Sequence, residues 1–156
     1  MAAGKTTAAT ALGAHLDWAV TDLDTHIESQ EQQTVSEIFT THGEKYFRAA
    51  ENRVLSELLP HRHIVIATGG GTFVSKENRD LINRDGVSVW LDVSLKTVTE
   101  RLASDDTRPL ATEHDSMALL YTARRNAYQH AHLHLKADPA TTVELVNHIV
   151  AYLDQT

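Results

Sequence analysis

Short apolar runs alternate along the chain with longer stretches in which the apolar residues have helical spacing. The runs DWAVT (17–21), IVIA (64–67), VSVWLDV (87–93) and LHLK (133–136) predict strands, and those at 64–67 and 87–93 are predicted to be buried. The amphipathic or alanine-rich stretches predict helices over residues 5–16, 34–41, 44–59, 75–83, 94–103, 117–129 and 141–153. Because strands alternate with helices, the pattern predicts an α/β fold, with a parallel sheet and helices on both of its faces.

The chain begins MAAGKTT, which matches the second half of the phosphate-binding loop G-x-x-x-x-G-K-[ST]. The first glycine of that pattern would lie two residues ahead of Met1, as would the strand that normally precedes the loop. In such a loop, backbone N–H groups hold the β-phosphate, Lys5 bridges the β- and γ-phosphates and Thr6 ligates Mg²⁺. Taken alone, AGKTT fits a capped surface helix equally well. We expect the front half of the loop to lie upstream of Met1; the alternative is a chain without the central strand of its own fold.

Composition narrows the class of protein. The 156 residues, with 42% hydrophobic and 22% charged, are typical of one globular domain. The sequence has neither an apolar run long enough to span a bilayer nor a signal peptide, and it lacks cysteine, which excludes disulfides and fits a reducing, cytoplasmic compartment. The net charge of −7 argues against nucleic acid as a partner, although local cations can still bind small anions.

Two acidic residues, Asp22 and Asp24, follow the first predicted strand in the motif D-L-D. Carboxylates two positions apart on an extended segment point to the same side. A Mg²⁺–nucleotide site needs an acid near Thr6, and Asp22 is the available one because the strand at 64–67 runs into glycines. Aspartate is also a common turn residue at strand ends, so the motif alone leaves both interpretations open.

Two arginines and a run of glycines indicate a site for a small anion. Arg48 shares a helical face with Glu51 in YFRAAE, and Arg124 lies beside Arg125 in ARRNAY. A guanidinium gives a carboxylate a planar, bidentate contact that lysine does not, although arginine is more often half of a surface ion pair. The glycines at 69–71 directly follow an apolar strand, which marks backbone that a ligand approaches closely or, more simply, a flexible turn.

In this order and spacing, the phosphate loop, D-L-D, F-R-A-A-E, T-G-G-G, T-R-P-L-A and A-R-R-N-A-Y resemble the shikimate kinases over nearly the whole chain. The resemblance implies one domain, residues 1–156, with a three-layer P-loop kinase fold whose first, central strand is missing or incomplete. Within it, the phosphate-loop remnant would cover residues 1–7, the substrate-binding helices about 24–59 and a lid about 104–116. The implied reaction moves the γ-phosphoryl of ATP to the 3-hydroxyl of shikimate, with Mg²⁺ as cofactor, in a cytoplasmic monomer without nucleic-acid or membrane partners.

The resemblance also implies roles for single residues. Chemistry would fall on Lys5, Asp24 and Arg108, and the metal on Thr6 and Asp22. The nucleotide would contact Gly4, Lys5, Thr6, Thr7, Arg101, Arg108 and Pro139. The substrate would contact Asp24, Arg48, Gly69, Gly70, Gly71 and Arg124, with Arg124 preferred over Arg125 by counting back from Tyr128.

This chain departs from the family pattern in two places. The family reads R-x-P-L-Y where this chain has R-R-N-A-Y, and the predicted lid has Ala111 after Arg108-Pro109-Leu110, with Asp105 and Asp106 close by. Two other functions stay open: a related kinase for another polyol acid such as gluconate, and a non-catalytic remnant. The arginine pair together with the triple glycine favours shikimate.

Overall fold

The computed structural model of the protein describes residues 3–103 and 114–155. Its helices are α1 (Lys5–Leu16), α2 (Leu23–Glu31), α3 (Val35–Leu58), α4 (Lys76–Asp85), α5 (Leu95–Ala103), α6 (His114–Tyr128) and α7 (Thr142–Leu153). Its strands are β1 (Ala19–Asp22), β2 (Ile64–Ala67), β3 (Val89–Asp92) and β4 (Leu133–Lys136), and a short helical turn covers Thr72–Val74. Among the described residues, one or two helices separate successive strands. α2 was not among the helices predicted from the apolar pattern, and it places Asp24 in a helix instead of on the extended segment assumed for D-L-D.

All the strand pairs in the described residues are parallel, which confirms the predicted class of fold. β1 pairs with β2, in register from Ala19–Ile64 to Asp22–Ala67, and β3 pairs with β4. The two pairs form separate two-stranded sheets, so β2 and β3 each keep one edge without a strand partner among the described residues. Within those same residues, no strand lies ahead of α1.

An apolar cavity of about 420 Å³ lies between the two sheets. It is lined by β2 and β3, by Ala8 and Leu12 of α1, and by Ala3 ahead of that helix. Ala3 lies two residues before the helix that the phosphate loop opens. The cavity therefore lies at the place where the sequence predicts a central strand leading into that loop.

The buried side chains form two clusters, here called the first core and the second core. The first core joins α1, α5 and α7 to β3 and β4, and its buried members are Ala3, Leu12, Val93, Val98, Leu135, Ala137, Leu145, Val146 and Ile149. The second core joins α2 to α3, and its buried members are Leu23, Ile27, Ile38, Phe47, Ala50, Val54, Leu55 and Leu58. None of the described helices is long and apolar enough to cross a membrane.

Most predicted boundaries agree with the structure to within a few residues. β1 begins at Ala19 instead of residue 17 because Asp17 is the left-handed C-cap of α1, at φ 55°. The predicted break between the helices at 34–41 and 44–59 is a kink inside α3, where Gly43 has φ 80°. α6 begins at His114, so residues 114–116 are helical where the sequence predicts a loop. The rest of that loop falls within residues 104–113, which lie outside the described residues.

Candidate active site

The start of α1 provides a ready anion site. Gly4 takes a left-handed conformation, φ 74°, which glycine adopts without steric cost, and α1 begins at Lys5 directly after it. The first N–H groups of a helix have no partners within the helix, and the helix dipole adds positive potential there. The first turn of α1 contains no acidic residue that would oppose an anion. This end of the helix is therefore suited to phosphate groups.

Asp22, the last residue of β1, lies beside Thr6. Its Oδ1 accepts hydrogen bonds from the N–H groups of Asp24 (3.0 Å) and Thr25 (3.4 Å), which caps α2. Its Oδ2 accepts a long hydrogen bond, 3.5 Å, from the hydroxyl of Thr6. A hydroxyl and a carboxylate are a donor pair that suits Mg²⁺, which usually keeps several waters and binds few protein groups. Consistent with that, no cluster of three or more metal-ligating side chains occurs in the described part of the chain.

Asp24 is a half-buried carboxylate whose surroundings disfavour its charged form. Burial raises its pKa above the ordinary value, the charges of Asp22 and Glu51 raise it further, and Lys5 lowers it in part. Its Oδ1 is buried and accepts no hydrogen bond from the described residues. Since a buried polar atom without a partner costs free energy, this oxygen is available to accept a hydrogen bond.

The glycine run after β2 brings two of the predicted substrate residues together. A methyl group built on Gly69 would lie 2.9 Å from Oδ1 of Asp24, and one on Gly71 would lie 2.7 Å from Nη2 of Arg48. Real Cβ atoms essentially never come so close to other atoms. Both side chains therefore rest against bare backbone, and the glycines are needed for close approach.

Gly70 distinguishes Arg124 from Arg125. A methyl group on Gly70 would lie 2.8 Å from Nη1 of Arg124. Arg125 instead donates to Asp92 from both terminal nitrogens, at 2.7 and 3.3 Å, and its guanidinium lies 5.0 Å from the centre of the Trp90 ring. Arg124 thus faces the glycines, whereas Arg125 is held in an ion pair at the end of β3. The ligand contact of Arg124 stays a prediction, and its position against Gly70 is the observation that favours it over Arg125.

Arg48 is held from two sides by acids of α3. Its Nη1 donates to Oε2 of Glu51 at 2.6 Å, and its Nε and Nη2 donate to Oε1 of Glu44 at 3.3 and 3.2 Å. The Glu51 side chain is 1% exposed and that of Glu44 is 67% exposed, so Glu51 is the firmer partner. Burial acts to lower the pKa of Arg48, but the bonds and charges of Glu51 and then Glu44 outweigh it and raise that pKa. The guanidinium stays charged.

The residues predicted for the nucleotide lie apart along the chain. Arg101 is exposed in the last turn of α5, and Pro139 is exposed between β4 and α7. Asp138, next to Pro139, has a lowered pKa: slight burial raises it, but the hydrogen bond from the N–H of Ser94 and the charge of Arg101, among others, prevail. The N–H of Ser94 donates to Asp138 at 2.7 Å, so Pro139 lies close to the start of α5, whereas Arg101 lies in the last turn of that helix. Arg108 lies outside the described residues.

Three residues with contacts in the site were not predicted to act there. The hydroxyl of Tyr128 donates to the carbonyl of Gly70 at 2.5 Å, and that of Thr72 donates to Glu51. Asp92 ends β3 and binds Arg125. Asp92 had a readable signal, since an acid at the carboxyl end of an apolar strand lies at the ligand edge of a sheet. Nothing local distinguishes the tyrosine or the threonine from ordinary surface residues.

Three features define the class of protein: a helix start suited to phosphate, a parallel α/β fold, and arginines near the glycine turn. Together they indicate a P-loop kinase of small molecules. The family model for shikimate kinase matches residues 1–154, nearly the whole chain. The chain belongs to the shikimate kinase family.

Individual relatives agree with this assignment. A shikimate kinase of Ruegeria pomeroyi is 40% identical over 98% of this chain and 80% of its own length, and one of Sulfurihydrogenibium is 34% identical over 96% and 91%. Among solved structures, the shikimate kinase of Aquifex aeolicus has a TM-score of 0.90 at 30% identity, covering 99% of this chain and 92% of that one. The enzyme from Acinetobacter baumannii in complex with shikimate has a TM-score of 0.87 at 30% identity, with coverages of 99% and 89%.

Proposed function

We propose that this chain transfers the γ-phosphoryl group of ATP to the 3-hydroxyl of shikimate, giving shikimate 3-phosphate and ADP. Membership of the shikimate kinase family supports the reaction, and one relative of similar structure is known in complex with shikimate. The observation that supports an acid such as shikimate as the substrate is the close approach of Arg48, Arg124 and Asp24 to three successive glycines after β2. This arrangement offers two guanidinium groups to a carboxylate and one carboxylate to a hydroxyl.

The arginines and glycines position the acceptor. Arg48 and Arg124 would hold the shikimate carboxylate, and the backbone of residues 69–71 would pack against its ring and hydroxyls. These contacts fix the acceptor hydroxyl near Asp24, which converts a bimolecular encounter into a reaction between positioned groups. The substrate-binding helices of this proposal lie within residues 24–59.

The reaction itself needs charge neutralisation and a place for one proton. The acceptor oxygen attacks the γ-phosphorus, the bond from that phosphorus to the β–γ bridging oxygen breaks, and the hydroxyl proton passes to Asp24. Lys5 and the N–H groups at the start of α1 hold the phosphates, with Gly4 and Thr7 beside them. Thr6 and Asp22 fit Mg²⁺, which when bound supplies positive charge to the phosphates. From the sequence we assign Arg108, Arg101 and Pro139 to the nucleotide.

The composition also bears on the cellular compartment and the partners of the enzyme. The sequence has no cysteine and a net charge of −7. These support a cytoplasmic enzyme that acts on small anions without nucleic acid, and we propose that it acts as a monomer away from membranes.

The test measures ADP release from ATP and Mg²⁺ with shikimate, with gluconate and with no acceptor. We expect release to depend on shikimate and Arg48→Ala to abolish that dependence. Arg53→Ala is the matched control, because Arg53 is an exposed arginine of the same helix that pairs with Glu31. Preference for gluconate would indicate the related polyol-acid kinase. No turnover with either acceptor in a folded protein, and none after the upstream codons are restored, would indicate the non-catalytic remnant.

A further inference from the structure

Glu51 is a fully buried acid with both carboxylate oxygens engaged. Its Oε1 accepts a hydrogen bond of 2.6 Å from the hydroxyl of Thr72, and its Oε2 accepts one of 2.6 Å from Nη1 of Arg48. Thr72 and Glu51 are both 0% exposed. A carboxylate in such surroundings is costly unless each oxygen has a donor, so the Thr72 hydroxyl and the arginine stabilise the same group from opposite sides.

The position of Thr72 is fixed by the glycine turn. Its N–H donates to the carbonyl of Gly69 at 3.3 Å, and it begins the helical turn Thr72–Val74. A methyl group on Gly69 would also lie 3.4 Å from the Thr72 hydroxyl oxygen. The hydroxyl therefore connects the glycine turn, on which the substrate would rest, to the helix that carries Arg48.

The hydrogen bonds leave part of the guanidinium available. Arginine has five N–H donors, and three of them are directed to Glu51 and Glu44. The two other N–H groups have no acceptor among the described residues. They suit the two oxygens of a carboxylate. Their direction depends on the orientation of the guanidinium, and that orientation depends on which way the Glu51 carboxylate is turned.

We propose that Thr72 is a positioning residue: its hydroxyl fixes the rotation of the Glu51 carboxylate, and this carboxylate aims Arg48 at the substrate carboxylate. The proposal deepens the proposed function and rests on it for the identity of the substrate. Thr72 touches neither substrate nor nucleotide in this arrangement. Its loss should therefore weaken binding of the acid substrate and leave ATP unaffected.

The kinetic test compares Thr72→Val with Thr72→Ser. Valine keeps the branched shape but removes the donor, and we expect the KM for shikimate to rise roughly tenfold while the KM for ATP changes less than about twofold. Serine keeps the donor and should restore the KM to within about twofold of the wild type. Thr99→Val is the matched control, because Thr99 lies outside residues 24–59, is half-buried, and its hydroxyl bonds in the described structure only to the carbonyl of Leu95 in its own helix. An unchanged KM in Thr72→Val, or an equal rise for both substrates, would overturn the proposal.

A second measurement does not depend on turnover. The ¹⁵N NMR signal of the Arg48 Nε–H reports whether the guanidinium is held in one orientation, and Arg48→Lys identifies that signal by its disappearance. We expect a sharp signal in the wild type and in Thr72→Ser, and a shifted or broadened one in Thr72→Val. An identical signal in all three proteins would contradict the positioning role, whether or not the wild type phosphorylates shikimate. A wild type that does not phosphorylate shikimate would instead count against the proposed function alone.

Discussion

Arg124 rests on the backbone of Gly70, with its Nη1 only 2.8 Å from the point that a methyl group on that glycine would occupy. The carbonyl of Gly70 accepts a hydrogen bond from Tyr128, one helical turn after Arg124 on α6. α6 thus contacts the glycine turn twice, once through a cation and once through a hydroxyl. The position of the cation depends on the absence of a side chain at residue 70.

Gly70→Ala is expected to displace Arg124 without unfolding the protein, because the atom that the methyl meets is the end of a flexible side chain. We predict a rise of roughly tenfold in the KM for shikimate, corresponding to about 1.4 kcal/mol, with little change in the KM for ATP. Steady-state kinetics with each substrate varied in turn measures the two values. Gly86→Ala is the control, since the nearest atom to its methyl lies at an ordinary 3.5 Å. Equal effects of the two substitutions would contradict the assigned role of Gly70.

Arg124→Ala and Arg125→Ala should separate binding from stability. We expect Arg124→Ala to lower kcat/KM for shikimate by about 10- to 100-fold with little effect on Tm, because it removes a charge-assisted contact to the ligand. We expect Arg125→Ala to lower the free energy of unfolding by about 1–3 kcal/mol, because Asp92 is buried and keeps only Lys136 as its described charged partner. Thermal melts of both variants measure the loss of stability, and steady-state kinetics measure the loss of kcat/KM for shikimate. The reverse pattern would assign the ligand to Arg125.

Asp24→Asn should abolish most activity and yet stabilise the fold at neutral pH. Removing a general base costs about 100-fold or more in kcat. Burial, followed by the charges of Asp22 and Glu51, raises the pKa of Asp24 above its ordinary 3.8, so the ionised form is disfavoured in the folded state. Replacing it with a neutral amide removes that cost. Kinetics and urea unfolding at several pH values measure the two effects.

The sign of the pH dependence follows from the raised pKa. Below 3.8 the aspartate is protonated in both the folded and the unfolded chain, and it has no net effect on stability. As the pH rises from 3.8 through the raised folded pKa, the unfolded chain loses its proton first, and the wild type loses stability relative to Asp24→Asn. The stability difference between the two proteins should therefore grow with pH and then level off. A constant difference from acid to neutral pH would show that the Asp24 pKa is not raised.

The apolar cavity between the sheets should accept an added strand. An extension of roughly ten residues ahead of Met1, with an extended apolar segment and a glycine two residues before Met1, would lie between the unpaired edges of β2 and β3. Each new backbone hydrogen bond contributes about 1 kcal/mol, and apolar burial adds to this. We predict a rise in Tm of roughly 10 °C, measured by calorimetry. An extension of equal length with proline at alternate positions is the control, since proline cannot donate to a strand ladder. Equal Tm values for the two extensions would exclude strand insertion.

The sequence alone predicts much of the fold, because the relevant signals are local. The runs IVIA and LHLK lie between chain-breaking or polar residues, and both strands have the predicted limits, Ile64–Ala67 and Leu133–Lys136. The boundaries at β1 and α6 were less accurate. At β1 the left-handed Asp17 caps the end of α1, so the strand begins later than predicted, and composition does not reveal this backbone conformation.

The site residues divide in the same way between local and distant contacts. Arg48 and Glu51 share a helical face, so their pairing follows from spacing alone. The contacts of Tyr128 with Gly70 and of Thr72 with Glu51 join residues 58 and 21 positions apart, respectively. Such contacts arise from the packing of whole elements on one another. A single sequence contains no periodic signal for them.

The division of the interior into two cores has a consequence for how the folded state comes apart. Lys5 belongs to an element of the first core, whereas Asp24 and Arg48 belong to elements of the second. We therefore expect each core to open as its own cooperative unit, so that hydrogen exchange of the ligand-free protein shows two classes of protection. Two ligands in contact, one bound mainly to each core, would link these units, so that each ligand strengthens the binding of the other through shared order. In this protein the substrates themselves would complete the cooperativity of the fold.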